Sequence, residues 1–271
     1  MVTALTVRNS TRSASLLLST RFDQSYPLDM AEESVDDRYS TCVTKMEEKV
    51  KNTYFKNEAK NTLFGEVWTK AENCAQRNLK EREKGDEALT KDHMQAICLY
   101  TAGGQENFYK IFNNAVKTMR NYYGSSFQFH SLHFWLTRVI QILKQPGCHI
   151  TYRRTKTKFT GDVNKEIRFG TFTSSSNLSN LTNFGKKTCF KIETCYGAFL
   201  KKYPKLKDHE KEWLIPPYEK FKITSKGKTE GLFDCENILE RFNMQNCKAR
   251  EIPCDQKPCY TEDAVKMRYV Q

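Results

Sequence analysis

The stretch DHEKEWLIPPYE, residues 208–219, combines two carboxylates with a short apolar run. The run Trp213–Ile215 is β-prone and ends at two prolines, which predicts a strand. Residues two apart on a strand share a face, so Glu210 and Glu212 are expected to point into the same space. Neighbouring carboxylates raise each other's pKa and can take different catalytic roles. Alone, however, a Glu-Lys-Glu triplet is more typical of a solvated edge strand.

The second half of the chain has the residue pattern of a β region. Short stretches rich in Thr, Ile, Val, Phe and Tyr alternate there with turn residues, which predicts antiparallel strands. The predicted strands are His149–Tyr152, Ile167–Thr173, Thr188–Cys195, Trp213–Ile215, Phe221–Thr224 and Gly231–Asp234.

The first half of the chain has helical periodicity instead. Apolar residues recur every three or four positions in segments 108–119 and 132–143, which predicts two helices with one apolar stripe each. A more polar helix is predicted over Lys56–Lys84, and Gln145-Pro146-Gly147 predicts a break. A helical front and a stranded back predict an α+β fold, with helices packed on a C-terminal, mainly antiparallel β core.

Composition narrows the class of partner. Lys and Arg outnumber Asp and Glu by 44 to 32, so the 271-residue chain carries a formal net charge of +12. A basic balance favours anionic partners such as nucleic acid, heparin-like polymers or a phosphate-bearing ligand. The basic residues are scattered and lack an aromatic-basic repeat, so we expect no nucleic-acid partner.

Ten cysteines and three Asn-x-Ser/Thr sequons, at Asn9, Asn177 and Asn180, favour an oxidising, extracellular compartment. No cysteine pair has CxxC spacing and the five histidines are dispersed, so no metal site is predicted. No run approaches the ~20 apolar residues of a membrane span, and no hydrophobic tail for a GPI anchor is visible. We therefore expect an extracellular or secreted protein.

Two further pieces of sequence carry polar chemistry. Arg153 ends a predicted strand, and a guanidinium there could hold a phosphate through paired hydrogen bonds, although an arginine after a strand is usually a surface residue. The hydroxyl run Thr173–Ser176 is typical of a polar turn when taken alone. It lacks the Gly-x-Ser-x-Gly pattern of a hydrolase nucleophile.

Together, and in this order, these pieces resemble the signature of the vertebrate ecto-ADP-ribosyltransferases: an arginine, an aromatic-Thr-Ser segment and Glu-x-Glu. Here they read Tyr152-Arg153, Phe172-Thr173-Ser174 and Glu210-Lys211-Glu212. The resemblance extends to three flanking segments: 36–42, 167–170 and 214–219.

The resemblance implies a domain organisation as well as a fold, the ADP-ribosyltransferase fold. A single catalytic domain is expected over residues 35–247, mainly helical over 35–145 and mainly β over 146–247. Residues 1–34 lack strong periodicity, which predicts a processed or loosely ordered lead-in, and the charged segment 248–271 predicts a peripheral tail. We expect a monomer.

The resemblance further implies transfer of ADP-ribose from NAD to an arginine of an acceptor protein, with NAD as substrate and without a metal. Arg153 is expected to hold the NAD phosphate, and Ser174 to hydrogen-bond near the nicotinamide ribose and orient Glu212. Glu212 is expected to stabilise the oxocarbenium-like cation that forms as nicotinamide leaves. Glu210 is expected to orient the acceptor guanidinium.

Other residues are assigned by the same resemblance. Phe184 is expected to stack on nicotinamide and Tyr100 to line the adenosine end. Two disulfides are expected, Cys42–Cys247 and Cys148–Cys195. The resemblance assigns no partner to the remaining cysteines: Cys74, Cys98, Cys189, Cys235, Cys254 and Cys259.

The sequence leaves two alternative functions open. An NAD glycohydrolase would use water in place of the guanidinium, although Glu210 argues against it. A catalytically silent family member acting as a binding protein is favoured by Arg154, which stands where active relatives usually have glycine. A bulky side chain there is expected to crowd the pocket or to change the backbone φ.

Overall fold

A computed structural model describes residues 25–102, 106–227, 235 and 240–246. In this part of the chain a helical region precedes a stranded region, as the sequence predicts. The α-helices are α1 (Val43–Lys49), α2 (Phe55–Glu58), α3 (Thr62–Lys70), α4 (Glu72–Lys80), α5 (Lys91–Tyr100), α6 (Glu106–Thr118) and α7 (His130–Leu143). The strands are β1 (Ser25–Pro27), β2 (His149–Thr155), β3 (Lys158–Thr160), β4 (Glu166–Ile167), β5 (Thr173–Ser176), β6 (Thr188–Thr194), β7 (Ala198–Phe199), β8 (Glu212–Ile215), β9 (Phe221–Gly227) and β10 (Glu240–Asn246).

Eight of these strands form one sheet in the order β4-β9-β10-β6-β2-β5-β8-β7. Strands β10 and β6 are parallel to each other, and the other pairs of neighbouring strands in this sheet are antiparallel. Strands β2, β5 and β8 lie side by side, with Tyr152 opposite Ser176 and Ser176 opposite Glu212. The three sequence pieces that carry polar chemistry are therefore neighbours in the sheet.

The sheet is covered by apolar residues on both faces. One core packs α3, α5, α6 and α7 against residues such as Phe172 and Leu214. The other face carries a smaller core that includes Ile215, Phe190 and Phe242. Successive residues of a strand point to opposite faces, which is why Leu214 and Ile215 belong to different cores.

The predicted polar helix over Lys56–Lys84 is wrong as one continuous element, because it is divided into α2, α3 and α4. Asn61 causes the first division. Its backbone is extended, with ψ at 120°, and its side chain accepts hydrogen bonds from the backbone N–H groups of Leu63 and Phe64. An asparagine that satisfies the first free N–H groups of a helix fixes where that helix begins.

The predicted strand Ile167–Thr173 is also divided. β4 ends at Ile167 and β5 begins at Thr173. Between them, Arg168 is buried and donates to a carboxylate oxygen of Asp36 at 2.5 Å and to the backbone oxygens of Met30 and Ala31 at 2.7 and 3.0 Å. These bonds tie the segment to the start of the domain instead of to a neighbouring strand. The predicted strand over 231–234 lies outside the described residues.

Residues 25–34, which the sequence assigns to the lead-in, are part of the folded structure. β1 pairs in parallel with β3. Ser34 is fully buried and its hydroxyl donates to the Gly170 carbonyl oxygen at 2.8 Å. The expectation of a loosely ordered segment is therefore wrong for this stretch.

Three disulfides lie among the described residues. Cys148–Cys195 joins the ends of the paired strands β2 and β6, as the family resemblance implies. Cys74–Cys98 joins α4 to α5, and Cys189 is bonded to Cys235. The expected Cys42–Cys247 bond stays a prediction because Cys247 lies outside the described residues, as do Cys254 and Cys259.

Candidate active site

A cleft of about 360 Å³ opens between the sheet and the helices α5 and α6. Its walls come from β2, β5 and β8, from the two helices, and from the segment that follows β5. All six side chains predicted as site residues line it: Tyr100, Arg153, Ser174, Phe184, Glu210 and Glu212. Residues that are 112 positions apart in sequence, from Tyr100 to Glu212, thus meet in one cavity.

The cleft forms where an apolar interface changes to a polar one. Phe172 and Leu214 belong to the core between sheet and helices. Ser174 on β5 lies two residues after Phe172, and Glu212 on β8 lies two residues before Leu214. Because side chains alternate along a strand, Ser174 and Glu212 point to the same face of the sheet as these two core residues. The sequence therefore fills one end of the interface with aromatic and aliphatic side chains and leaves the other end polar.

Glu212 is the most perturbed carboxylate in the cleft. Its side chain is 7% exposed. Its pKa is raised to about 7, mainly by burial and also by the neighbouring charge of Glu210, while a hydrogen bond from Ser174 and the charge of Arg153 oppose the shift. A carboxylate with a pKa near neutrality in a cleft is a marker of a functional site.

Glu210 reaches the cleft by a different route from the one predicted. The strand begins at Glu212, and Lys211 has a left-handed φ of 45°, so the two glutamates do not lie on one extended strand. Glu210 occupies the preceding turn, where the Lys211 N–H donates to the Asp208 carbonyl oxygen at 3.0 Å. Burial raises the pKa of half-buried Glu210. The prediction of a shared strand face is wrong, although both side chains line the cleft.

Arg153 lies on β2 beside β5. One of its guanidinium nitrogens donates to the Ser174 carbonyl oxygen at 2.6 Å. This bond holds the arginine next to the serine that hydrogen-bonds Glu212. A half-buried cation and a buried carboxylate therefore face the same cavity, a suitable arrangement for a substrate with an anionic end and a developing cation.

Tyr100 and Phe184 both line the cleft but differ in their exposure to solvent. Tyr100 is buried on α5, where its hydroxyl donates to the Phe172 carbonyl oxygen at 2.6 Å and accepts from the Asn113 amide at 3.2 Å. Phe184 ends a short 3₁₀ turn, Thr182–Phe184, and is 44% exposed. Tyr100 is thus a fixed wall of the cleft, and Phe184 is a ring open to a ligand.

Sequence reasoning missed the part played by Ser176. Its hydroxyl donates to the Glu210 carbonyl oxygen at 2.5 Å and accepts from the Leu178 N–H at 2.8 Å. It thereby connects β5 to the turn that carries Glu210. The run of hydroxyls was visible in the sequence, but its spacing cannot show which serine contacts substrate and which holds a turn.

Comparison with known proteins decides the family. The sequence profile described as NAD:arginine ADP-ribosyltransferase matches residues 28–236. The chain belongs to the NAD:arginine ADP-ribosyltransferase family. It is 35% identical over 265 residues to the erythroblast NAD(P)(+)–arginine ADP-ribosyltransferase of Gallus gallus, covering 90% of this chain and 87% of that protein. It is 33% identical over 214 residues to the T-cell ecto-ADP-ribosyltransferase 2 of Rattus norvegicus, covering 76% and 75%.

Solved structures agree with this assignment to the ADP-ribosyltransferase family. Mutants of the eukaryotic mono-ADP-ribosyltransferase ART2.2, in complex with NADH and with NAD, match with a TM-score of 0.67 and 28% sequence identity. The match covers 83% of this chain and 97% of that one. The predicted family and the predicted α+β ADP-ribosyltransferase fold are confirmed.

Arg154 is the position where this ADP-ribosyltransferase departs from the glycine expected in active relatives. It lies within β2 and is not among the residues with positive φ, so the backbone here does not require glycine. The expected change in φ is therefore wrong. The side chain is 6% exposed, lines the cleft, and donates from Nε to the Ser179 carbonyl oxygen at 2.6 Å.

The described residues of this ADP-ribosyltransferase also bear on metal binding and on membrane insertion. Within those residues, no group of three or more His, Cys, Asp and Glu side chains is placed to hold a metal ion. In the same part of the chain, no helix combines the length and apolar character needed to cross a membrane.

Proposed function

We propose that this chain transfers ADP-ribose from NAD to an arginine guanidinium of an acceptor protein and that Glu212 is its catalytic carboxylate. The observation that carries the proposal is the buried Glu212 beside Ser174 and Arg153 in a single cleft. Membership of the NAD:arginine ADP-ribosyltransferase family supports the same reaction.

The proposed reaction breaks the bond between nicotinamide and ribose. Nicotinamide leaves with the bonding electron pair, and the ribose becomes oxocarbenium-like. The ionised Glu212 stabilises this positive charge, which is greatest in the transition state, so the interaction accelerates the step rather than only binding the substrate. A guanidinium nitrogen then bonds to the ribose carbon and loses a proton.

The other side chains in the cleft have distinct proposed roles. Arg153 holds the NAD phosphate, and Ser174 orients Glu212 through the hydrogen bond it donates. Glu210, at the start of the loop into β8, orients the acceptor guanidinium. Phe184 stacks on nicotinamide with its exposed ring, and Tyr100 lines the adenosine end.

We also propose that residues 35–247, together with the folded segment 25–34, form one catalytic domain that is mainly helical over 35–145 and mainly β over 146–247. A peripheral tail over 248–271 follows it. The profile match over 28–236 supports a single domain. We propose a monomer, because residues of one chain line the whole described cleft. Light scattering on the purified protein measures this directly.

We propose that the protein is extracellular and secreted. The disulfides Cys74–Cys98, Cys148–Cys195 and Cys189–Cys235 support an oxidising compartment. Expression in cultured cells, followed by detection in the medium and on the cell surface, separates secretion from membrane attachment.

The reaction is tested by incubating the purified protein with NAD and agmatine, a small guanidine acceptor. Glu212→Gln is expected to lower the transfer rate about 100- to 1000-fold, because an electrostatic contact to the transition state is lost. Glu193→Gln, a matched change of a half-buried carboxylate on β6, should leave the rate unchanged. Equal rates for wild type and Glu212→Gln would overturn the assignment.

A second variant separates the transferase from an NAD glycohydrolase. Glu210→Gln is expected to reduce transfer to agmatine while release of nicotinamide continues, because water still reaches the ribose. If the wild type releases nicotinamide without modifying agmatine, the protein is a glycohydrolase. If it consumes no NAD, it is a silent member of the family.

A further inference from the structure

The connection from β5 to β6 has an unusual path that follows from strand order. Strands β5 and β6 both flank β2, so residues 177–187 must pass over β2 to join them. We call residues 177–187 the crossover segment. Leu178, Leu181 and Phe184 of this segment line the cleft. Its position over β2 therefore sets one wall of the proposed NAD site.

The crossover segment is fastened at both ends by backbone contacts. At its start, the Asn177 N–H donates to the Lys211 carbonyl oxygen at 3.3 Å. At its end, the Lys187 N–H donates to the Thr155 carbonyl oxygen at 3.1 Å. Gly185, with φ at 145°, lies so close to Thr155 that a Cβ atom would come within 2.1 Å of its carbonyl carbon.

Between these ends the segment is bonded mainly to itself. The Thr182 N–H donates to the Asn180 oxygen and the Phe184 N–H donates to the Leu181 oxygen, at 2.7 and 3.2 Å. Short turns of this kind keep the local shape but do not fix the position of the segment on the sheet. The contact from Arg154 Nε to the Ser179 oxygen at 2.6 Å supplies a bond to the strand beneath.

We propose that Arg154 is a positioning residue for NAD binding: its buried guanidinium holds the crossover segment against β2 and so fixes the wall formed by Leu178, Leu181 and Phe184. The proposal rests on the proposed function for its kinetic part and on the contacts alone for its structural part. The arginine at this position then supports the cleft instead of crowding it.

Positioning and crowding give opposite results for variants of Arg154. If Arg154 holds the segment, Arg154→Met and Arg154→Gly both raise the KM for NAD, by about tenfold for the loss of one charge-assisted hydrogen bond, with kcat within about twofold. Arg154→Lys restores part of the affinity because its ammonium can still donate. If Arg154 crowds the pocket, Arg154→Gly lowers the KM and Arg154→Met does not raise it.

A matched control separates positioning from attraction of the anionic substrate by net charge. Lys156 follows β2, is exposed and does not line the cleft. Lys156→Met removes the same charge as Arg154→Met and is expected to leave the KM for NAD within about twofold. A similar rise in KM for both variants would overturn the proposal.

Amide hydrogen exchange on the free protein tests the structural part without any substrate. Arg154→Met is expected to speed exchange in residues 179–185 by about tenfold, while β2 and β6 exchange as in the wild type. Unchanged exchange in this segment overturns the inference even if NAD is consumed. Faster exchange in a protein that consumes no NAD upholds the positioning role and rejects the proposed function instead.

Discussion

Two glutamates, one in each half of the molecule, have the same burial and opposite surroundings. Glu58 ends α2 and Glu212 begins β8, and each is 7% exposed. Glu58 accepts hydrogen bonds from the backbone N–H groups of His130 and Ser131 at 2.7 and 3.0 Å. Its carboxylate also lies 3.0 Å from His130 Nδ1. Glu212 instead faces a cavity, with a hydrogen bond from Ser174.

The difference between the two carboxylates indicates that Glu58 has a structural role and that Glu212 is the reactive one. Glu58 satisfies the first N–H groups of α7, so its hydrogen bonds offset the cost of burying it. Glu212 carries a burial cost that its neighbours do not fully offset, and its pKa rises to about 7 as a result. A buried carboxylate that faces a cavity remains free to interact with a substrate.

The helical half contains other buried polar groups with satisfied hydrogen bonds. Tyr39 hydroxyl contacts Tyr123 hydroxyl at 2.8 Å and His133 Nδ1 at 2.6 Å, and His133 Nε2 lies 3.0 Å from the Val35 carbonyl oxygen. Burial lowers the pKa of His133 to about 4, so its ring is neutral at pH 7. This network joins the start of the domain to α7 and has a structural role.

Each half also has a disulfide, and removing them gives the largest expected losses of stability. Cys148→Ala with Cys195→Ala opens a link with a sequence separation of 47, and Cys74→Ala with Cys98→Ala one of 24. The chain-entropy relation gives about 4 and about 3.5 kcal/mol. Urea unfolding measures both losses. A larger loss for the helical pair would show that loop length does not control the effect.

Glu58→Ala is expected to lower the free energy of unfolding by about 3 kcal/mol, because two N–H groups at the start of α7 lose their buried acceptor. Activity per folded molecule should not change. Glu66→Ala, a change of an exposed glutamate on α3, is the control and should have little effect. Loss of activity in a folded Glu58→Ala protein would contradict the structural role of this residue.

The acid limb of the pH profile of kcat/KM reports the pKa of Glu212, the reactive member of the pair Glu58 and Glu212. Because Glu212 must be ionised to stabilise a cation, kcat/KM for NAD is expected to fall about tenfold per pH unit below a pKa of about 7. Steady-state rates measured from pH 5 to pH 9 test this. A limb near pH 4.5, the ordinary glutamate value, would show that burial does not perturb Glu212.

Ser174→Ala gives the smallest expected effect and sharpens the same point. Loss of one hydrogen bond should reduce kcat/KM about fivefold. The hydrogen bond from Ser174 lowers the pKa of Glu212, so its loss should move the acid limb to higher pH. Ser225→Ala, a change of an exposed serine on β9 that does not line the cleft, is the control. An unchanged limb in Ser174→Ala would mean that Ser174 does not influence the charge of Glu212.

Much of this molecule could be predicted from sequence. Apolar periodicity predicted the helices that became α6 and α7. The stripe is seen in α6, where Phe108, Phe112, Ala115 and Val116 are buried, whereas α7 is buried over most of its surface. The cap at Asn61, which divides the polar helix, was not recognised. β10 was also missed, because its sequence ERFNMQN is mostly polar and it pairs in parallel with a distant strand, β6.

The candidate site could be predicted as a set of residues but not as a geometry. Motif order identified four of the side chains that line the cleft, and the family resemblance assigned two more, Phe184 and Tyr100. Strand alternation gave the wrong route for Glu210, because the left-handed φ of Lys211 is not encoded by a glycine. The role of Arg154 depends on the crossing of β2 by another segment, a long-range feature of strand order that local sequence does not specify.

The most direct test of the central claim measures stability and activity together for wild type and Glu212→Gln. A raised pKa means that the folded protein holds a proton which the unfolded chain releases between pH 4.5 and about 7, so Glu212 costs stability as pH rises through this window. At pH 8, Glu212→Gln should therefore be more stable than wild type, by up to about 3 kcal/mol, while its transfer rate falls about 100- to 1000-fold. At pH 4 the two stabilities should agree. A Glu212→Gln protein that is less stable at pH 8, or one that retains full activity, would contradict the account.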